Sequence, residues 1–88
     1  MSDRLLVRQG RLEWRELEGE VVIVDLATSR YLGVNPSGAV LWPLLLEGTT
    51  RDDLVAALVA RYGIEVERAA GDVDAFVAGL RERDLLEP

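Results

Sequence analysis

Asn35-Pro36 divides this chain between two hydrophobic periods, and no other feature restricts its fold as strongly. Before it, apolar residues alternate or run together as they do in strands. After it, they recur every three or four residues, as on one face of a helix. Asparagine suits the residue that caps a helix, and proline is pre-organised for the first helical position. The sequence therefore predicts an all-β first third and an all-α remainder.

Three strands are expected. Leu12-Glu13-Trp14-Arg15-Glu16 alternates apolar and polar, the pattern of a half-buried strand. Glu18-Gly19 marks a turn, and Val21-Val22-Ile23-Val24 is a β-branched run suited to a central strand buried on both faces. Asp25 to Ser29 is polar enough for a second turn, and Arg30-Tyr31-Leu32-Gly33-Val34 reads as the third strand. Turns this short favour an antiparallel meander with the third strand at an edge.

Three helices follow. The first should turn Val40, Leu41, Leu44 and Leu45 inward, with Pro43 producing a kink or an irregular turn near Ala39. Thr50-Arg51-Asp52-Asp53 opens the second as a capping box would, and Gly63 stops it. Its apolar face is Leu54, Val55, Leu58, Val59 and Tyr62. The third begins between Glu67 and Gly71 and carries Val73, Phe76, Val77 and Leu80 as its stripe. It should end near Arg83-Asp84, where aspartate tolerates a left-handed backbone, and Leu85 and Leu86 then return to the core. The fold class expected is α+β, winged-helix-like, with a three-stranded antiparallel sheet followed by three helices.

The chain has 88 residues, enough for one domain spanning 1–88 and for a thin core. Cysteine and histidine are both absent, which removes thiolate nucleophiles, Ser-His triads and most zinc sites. The acidic clusters Asp52-Asp53 and Asp72/Asp74 suit helix N-termini, where carboxylates complement the dipole. No glycine-rich phosphate loop is present. The expectation is a binding module that is not an enzyme and uses no metal or cofactor.

The formal net charge is −6, and all the basic residues are arginine. A phosphate backbone would be repelled, because nucleic-acid affinity needs clustered cations that release counterions. A recognition helix in the third position would also lead with Asp72 and Asp74. An acidic winged-helix regulator that dimerises or binds DNA is the rival reading, and nucleic acid is not an expected partner. No apolar run approaches the roughly 20 residues needed to span a membrane. Met1-Ser2-Asp3-Arg4 lacks the character of a signal segment, so cytoplasmic residence and no membrane partner are expected.

The edge strand is the stronger lead. Its unpaired backbone groups can template an added strand, and Gly33 allows close backbone approach. With the third helix beside it, an extended peptide would pair with Arg30 to Val34 while alternate side chains enter a groove. Val73 and Leu80 fit ordinary core positions at least as well, and Phe76 suits either place. Asp72 and Asp74 are candidates to attract basic peptide residues. The same open edge is able to pair with its own copy, so self-association is a further expectation.

An ordered series of segments carries a family resemblance. It comprises Asp25-Leu26-Ala27-Thr28-Ser29-Arg30-Tyr31-Leu32-Gly33-Val34-Asn35-Pro36, then Gly38-Ala39, Trp42 and Leu44-Leu45. Glu47-Gly48-Thr49-Thr50, Asp72-Val73 with Phe76 and Leu80, and Arg81-Glu82-Arg83-Asp84-Leu85-Leu86 complete it. The chain resembles PqqD-like proteins over about Val7 to Leu86. The resemblance implies a recognition element for ribosomally made, post-translationally modified peptides (RiPPs), binding a precursor's leader by strand addition at the third strand beside the third helix. The implied site is Arg30, Tyr31, Leu32, Gly33, Val34, Asp72, Val73, Phe76, Val77 and Leu80. The wording around Tyr31 to Asn35, with Trp42, is most similar to stand-alone members of lasso-peptide pathways, whose partner is a leader peptidase resembling a cysteine protease. The quinone-cofactor pathway, with a radical enzyme as partner, is the alternative. Pro43 and Asp84, which stands where glycine is common, depart from the family's pattern.

Overall fold

The structure is a computed structural model that describes residues 4–88. Met1, Ser2 and Asp3, part of the segment weighed as a signal, lie outside the described residues. The elements in chain order are β1 (Arg4–Leu5), a 3-10 turn (Gln9–Arg11), β2 (Leu12–Leu17), β3 (Glu20–Asp25) and β4 (Arg30–Val34). Then come α1 (Pro36–Glu47), β5 (Thr49–Thr50), α2 (Arg51–Tyr62) and α3 (Val66–Glu82). The architecture is α+β, with a three-stranded antiparallel sheet followed by three helices. What was expected as the third strand is β4.

The sheet is the meander β2-β3-β4, with β4 at one edge. Its register pairs Leu17 with Glu20, Trp14 with Ile23 and Val21 with Val34. Glu18 at φ 52 and Gly19 at φ 81 make the two-residue connection between β2 and β3. Left-handed backbone at both positions matches the natural twist of a hairpin. Asp25 closes the next turn by accepting the Ala27 N–H at 3.0 Å on its Oδ1.

The first two helices start where a side chain supplies a cap, whereas α3 starts after Glu65 without one. Asn35 Oδ1 accepts the Gly38 N–H at 2.8 Å, and Thr50 Oγ1 accepts that of Asp53 at 3.2 Å. Gly63, at φ 64, ends α2 in the left-handed region. Asp84, at φ 56, follows α3 as expected and returns Leu85 to donate to the Leu80 carbonyl at 3.0 Å. α3 begins one residue before the expected window.

Several expectations need correction. β3 is not buried on both faces: Val21 and Ile23 are buried, whereas Val22 and Val24 are only half-covered. The helices pack on one side of the sheet, so alternate residues of β3 lie on the other side. In β2 only Leu12 is buried; Trp14 stays 39% exposed, its ring edge-on to Trp42 at 5.7 Å. α1 runs from Pro36 to Glu47 with Pro43 inside it and exposed. The buried stripe of α1 is Gly38, Leu41, Trp42 and Leu45, so Trp42 joins the core while Val40 and Leu44 lie half-buried at its flank. Tyr62 stays 41% exposed, with the Arg61 guanidinium 5.4 Å from its ring centre.

A second, two-stranded sheet was not expected. β1 pairs with β5, Arg4 opposite Thr50 and Leu5 opposite Thr49. The chain then runs between α1 and the C-terminal segment, with Val7 donating to the Leu45 carbonyl at 3.0 Å and Arg8 to that of Leu85 at 2.9 Å. Val7 is consequently among the most buried residues. No described helix is long and apolar enough to cross a membrane.

Candidate functional site: a groove between an edge strand and the last helix

β4 and α3 enclose a groove of about 530 Å³, closed at its base by the start of α1. From β4 come Leu32, Gly33 and Val34; from α1, Ser37, Gly38 and Leu41. The α3 wall is Arg68, Asp72, Ala75, Phe76, Gly79 and Leu80, continued by Arg83 at the helix's C-cap. Each of these positions has another three or four residues along, so one stripe of the helix faces the strand. Phe76 is half-buried there, while Leu80 is nearly covered and forms the floor.

Gly38 makes this junction close. A Cβ at that position would lie 2.9 Å from Phe76 Cε1 and closer still to Val34 Cγ1. Hence α1, β4 and the Phe76 ring meet where only a bare backbone fits. Asn35, which caps α1 through Gly38, also lines the groove. Cap and groove floor are built from the same turn.

The β4 edge supplies the directional part. A two-residue hairpin closes on a pair exchanging both backbone hydrogen bonds, here Leu17 and Glu20. Bonding direction alternates along β3, so Val21, Ile23 and Asp25 turn their backbone groups toward β4. Their partners Val34, Leu32 and Arg30 are thereby used, which leaves the backbone N–H and C=O groups of Tyr31 and Gly33 pointing outward. Asp25 fits this phase, since its carbonyl accepts the Ser29 N–H across the turn at 2.7 Å.

The expected residues separate into groups. Leu32, Gly33, Val34, Asp72, Phe76 and Leu80 are brought together in the groove. Tyr31 is on the strand, but its side chain is 75% exposed and shares the outer sheet face with Val24's. Arg30, exposed at the start of the strand, does not line the groove. Val73 has no exposed surface and belongs to the core. Val77 lines a separate concavity of about 990 Å³ on another side of α3, together with Arg51, Asp74 and Arg81.

Asp74 is not at the groove. It is held by Arg51, Nε to Oδ1 at 2.7 Å and Nη2 to Oδ2 at 3.0 Å. This hydrogen-bonded pairing keeps the Asp74 carboxyl below its ordinary range and raises the Arg51 guanidinium. Arg68, Gly79, Arg83 and Gly38 were missed by sequence reasoning. Extending the stripe one turn before Asp72 and one turn beyond Leu80 would have found both arginines. Among the described residues no group of three or more acidic side chains is placed to hold a metal.

Residues 20–86 match the family model for coenzyme PQQ synthesis protein D, PqqD. The chain belongs to the PqqD family. Its fold is similar to that of TbiB1, solved in complex with the TbiA(beta) leader peptide, at 28% identity and a TM-score of 0.83. That match covers 93% of this chain and 94% of the other. A lasso peptide synthetase B1 complexed with its leader peptide shares the fold at 24% identity and a TM-score of 0.81, covering 96% and 98% of the two chains. No curated protein matches the sequence. In this PqqD-family chain the groove lies at one sheet edge, between β4 and α3.

Proposed function

We propose that this protein binds the leader segment of a precursor peptide by strand addition at β4, beside α3, and delivers it to a leader peptidase in lasso-peptide maturation. The observation that carries the reading is the open β4 edge directly beside a groove lined by Phe76. Backbone pairing with Tyr31 and Gly33 holds an extended peptide in register without reading much sequence. Leu32, Val34, Phe76 and Leu80 then favour apolar side chains at alternate positions. The likeness to TbiB1, itself solved with a leader peptide, supports the same use here.

The protein is a non-catalytic adaptor in this reading. It works in the cytoplasm, where ribosomal products begin, and the peptidase resembling a cysteine protease is its second partner. With no peptide bound, the β4 edge also offers a route to self-association. The rival, an acidic winged-helix DNA-binding regulator, is disfavoured by the net charge of −6 and by exposed Glu67, Asp72 and Asp74 on α3.

The test is titration of isotopically labelled protein with the leader of a lasso-peptide precursor, followed by amide NMR. Shifts concentrated in Arg30 to Val34 and along α3 support the reading, and so does faster leader cleavage when the protein joins peptidase and precursor. Retardation of duplex DNA at moderate salt, with no response to leader, would replace it with the regulator.

A further inference from the structure

The charges along the groove differ from those of the molecule as a whole. Its charged residues are Arg68, Asp72 and Arg83, two cations and one anion, against a net charge of −6. The local set decides. At physiological ionic strength the Debye length is about 8 Å, so charges touching a bound peptide outweigh acids on distant faces.

The two arginines are not equivalent. Asp72 follows Arg68 by four residues on the same helix face, where opposite charges offset one another. Arg83 has no such neighbour in the groove. Its Nη1 donates to the Gly79 carbonyl at 3.0 Å, folding the guanidinium back along the α3 wall. Gly79 presents no side chain between that guanidinium and the groove. The adjacent Asp84 is engaged elsewhere, 3.2 Å from Arg8 Nη2. A helix C-terminus is itself partly negative, so the fixed guanidinium is what makes this end of the groove receptive to an anion.

We infer that Arg83 is a specificity-determining residue of the groove, selecting peptides that carry a carboxylate beside their apolar segment. One guanidinium nitrogen is used in fixing the side chain, and the remaining donors suit a carboxylate in a geometry lysine does not reproduce. Arg83, the C-cap of α3, stands fifteen residues beyond Arg68, about 22 Å along the helix, which an extended peptide of about seven residues spans. The inference rests on the groove being the peptide site.

An mRNA-displayed library of short random peptides, selected on the whole immobilised chain, tests both points separately. Wild type, Arg83→Gln, Arg81→Gln and Phe76→Ala are run in parallel, each checked for folding by circular dichroism. Arg81→Gln makes the same charge change two residues away, in the other concavity. The expected pools from wild type and Arg81→Gln place Asp or Glu beside an apolar alternation, whereas the Arg83→Gln pool loses that acid. For one enriched peptide, changing the acid to its amide should weaken binding to wild type about three- to tenfold, as for one or two partly exposed ion pairs, and leave Arg83→Gln indifferent. Arg83→Lys should recover only part of the preference. A pool that depends on Phe76 but shows no acid, or an excess of basic residues, overturns the inference and leaves the groove standing as the peptide site. Enrichment that ignores Phe76, or no enrichment at all, overturns both.

Discussion

Arg51 at the start of α2 grips Asp74 in the middle of α3 with two parallel hydrogen bonds, at 2.7 and 3.0 Å. The pair fixes one helix against the other and withdraws Asp74 from the groove side of α3. Both side chains remain about half exposed, so the contribution is modest and sensitive to salt.

The sign of its pH dependence follows from the lowered Asp74 carboxyl. A group depressed in the folded state adds stability above its unfolded titration range, and that stability is lost as pH falls through the depressed value. Asp74→Asn should therefore lower the thermal midpoint slightly at neutral pH and low salt. Melting curves of variant and parent should converge in acid and in high salt, with peptide affinity unchanged. A gap that persists in acid would assign the effect to something other than this pair.

Among the described residues Phe76 is the only aromatic side chain in the groove, and it is half-buried against Gly38. Its truncation to alanine should weaken peptide binding by roughly 1–3 kcal/mol, the range of a buried aromatic anchor. Calorimetric titration of a folded variant measures this. Unchanged affinity would remove Phe76 from the site.

Gly38→Ala should act through the same ring. The added methyl group has to displace Phe76 or Val34, because both lie inside its contact distance. Overpacking of this kind costs about 1–3 kcal/mol of stability. Chemical denaturation should show that loss, and titration should show weaker peptide binding than Phe76 contacts alone explain. By contrast Gly33→Ala, with nothing near the new methyl, should retain stability.

Strand addition has a residue-by-residue signature in hydrogen exchange. Arg30, Leu32 and Val34 direct their backbone groups to β3, whereas Tyr31 and Gly33 direct theirs outward. Peptide binding should slow exchange most at the Tyr31 and Gly33 amides. Uniform slowing along β4, or slowing confined to α3, would mean that the peptide does not pair as a strand.

Much of this molecule was legible because the signals involved are local. The switch at Asn35-Pro36, the caps at Asn35 and Thr50, the stop at Gly63 and the left-handed Asp84 each depend on neighbours within one turn. Such positions read the same in a sequence as in a fold. The span Arg30–Val34 emerged intact for that reason, and its place at an edge followed from short turns.

The sequence by itself determined the order of the three-stranded meander and the three helices, the edge strand and the absence of thiol and imidazole chemistry. Tertiary structure alone decided which stripe of α3 meets β4. An amphipathic helix specifies which side is apolar, but its rotation about its axis is set by partners such as Gly38 and the Arg51–Asp74 pair. That rotation put Val73 in the core, turned Val77 to the other concavity and brought Arg83 to the groove. Likewise the pairing of β1 with β5, and of Val7 with Leu86, joins residues more than forty positions apart. No local period records such a contact, because its energy exists only once the chain has closed upon itself.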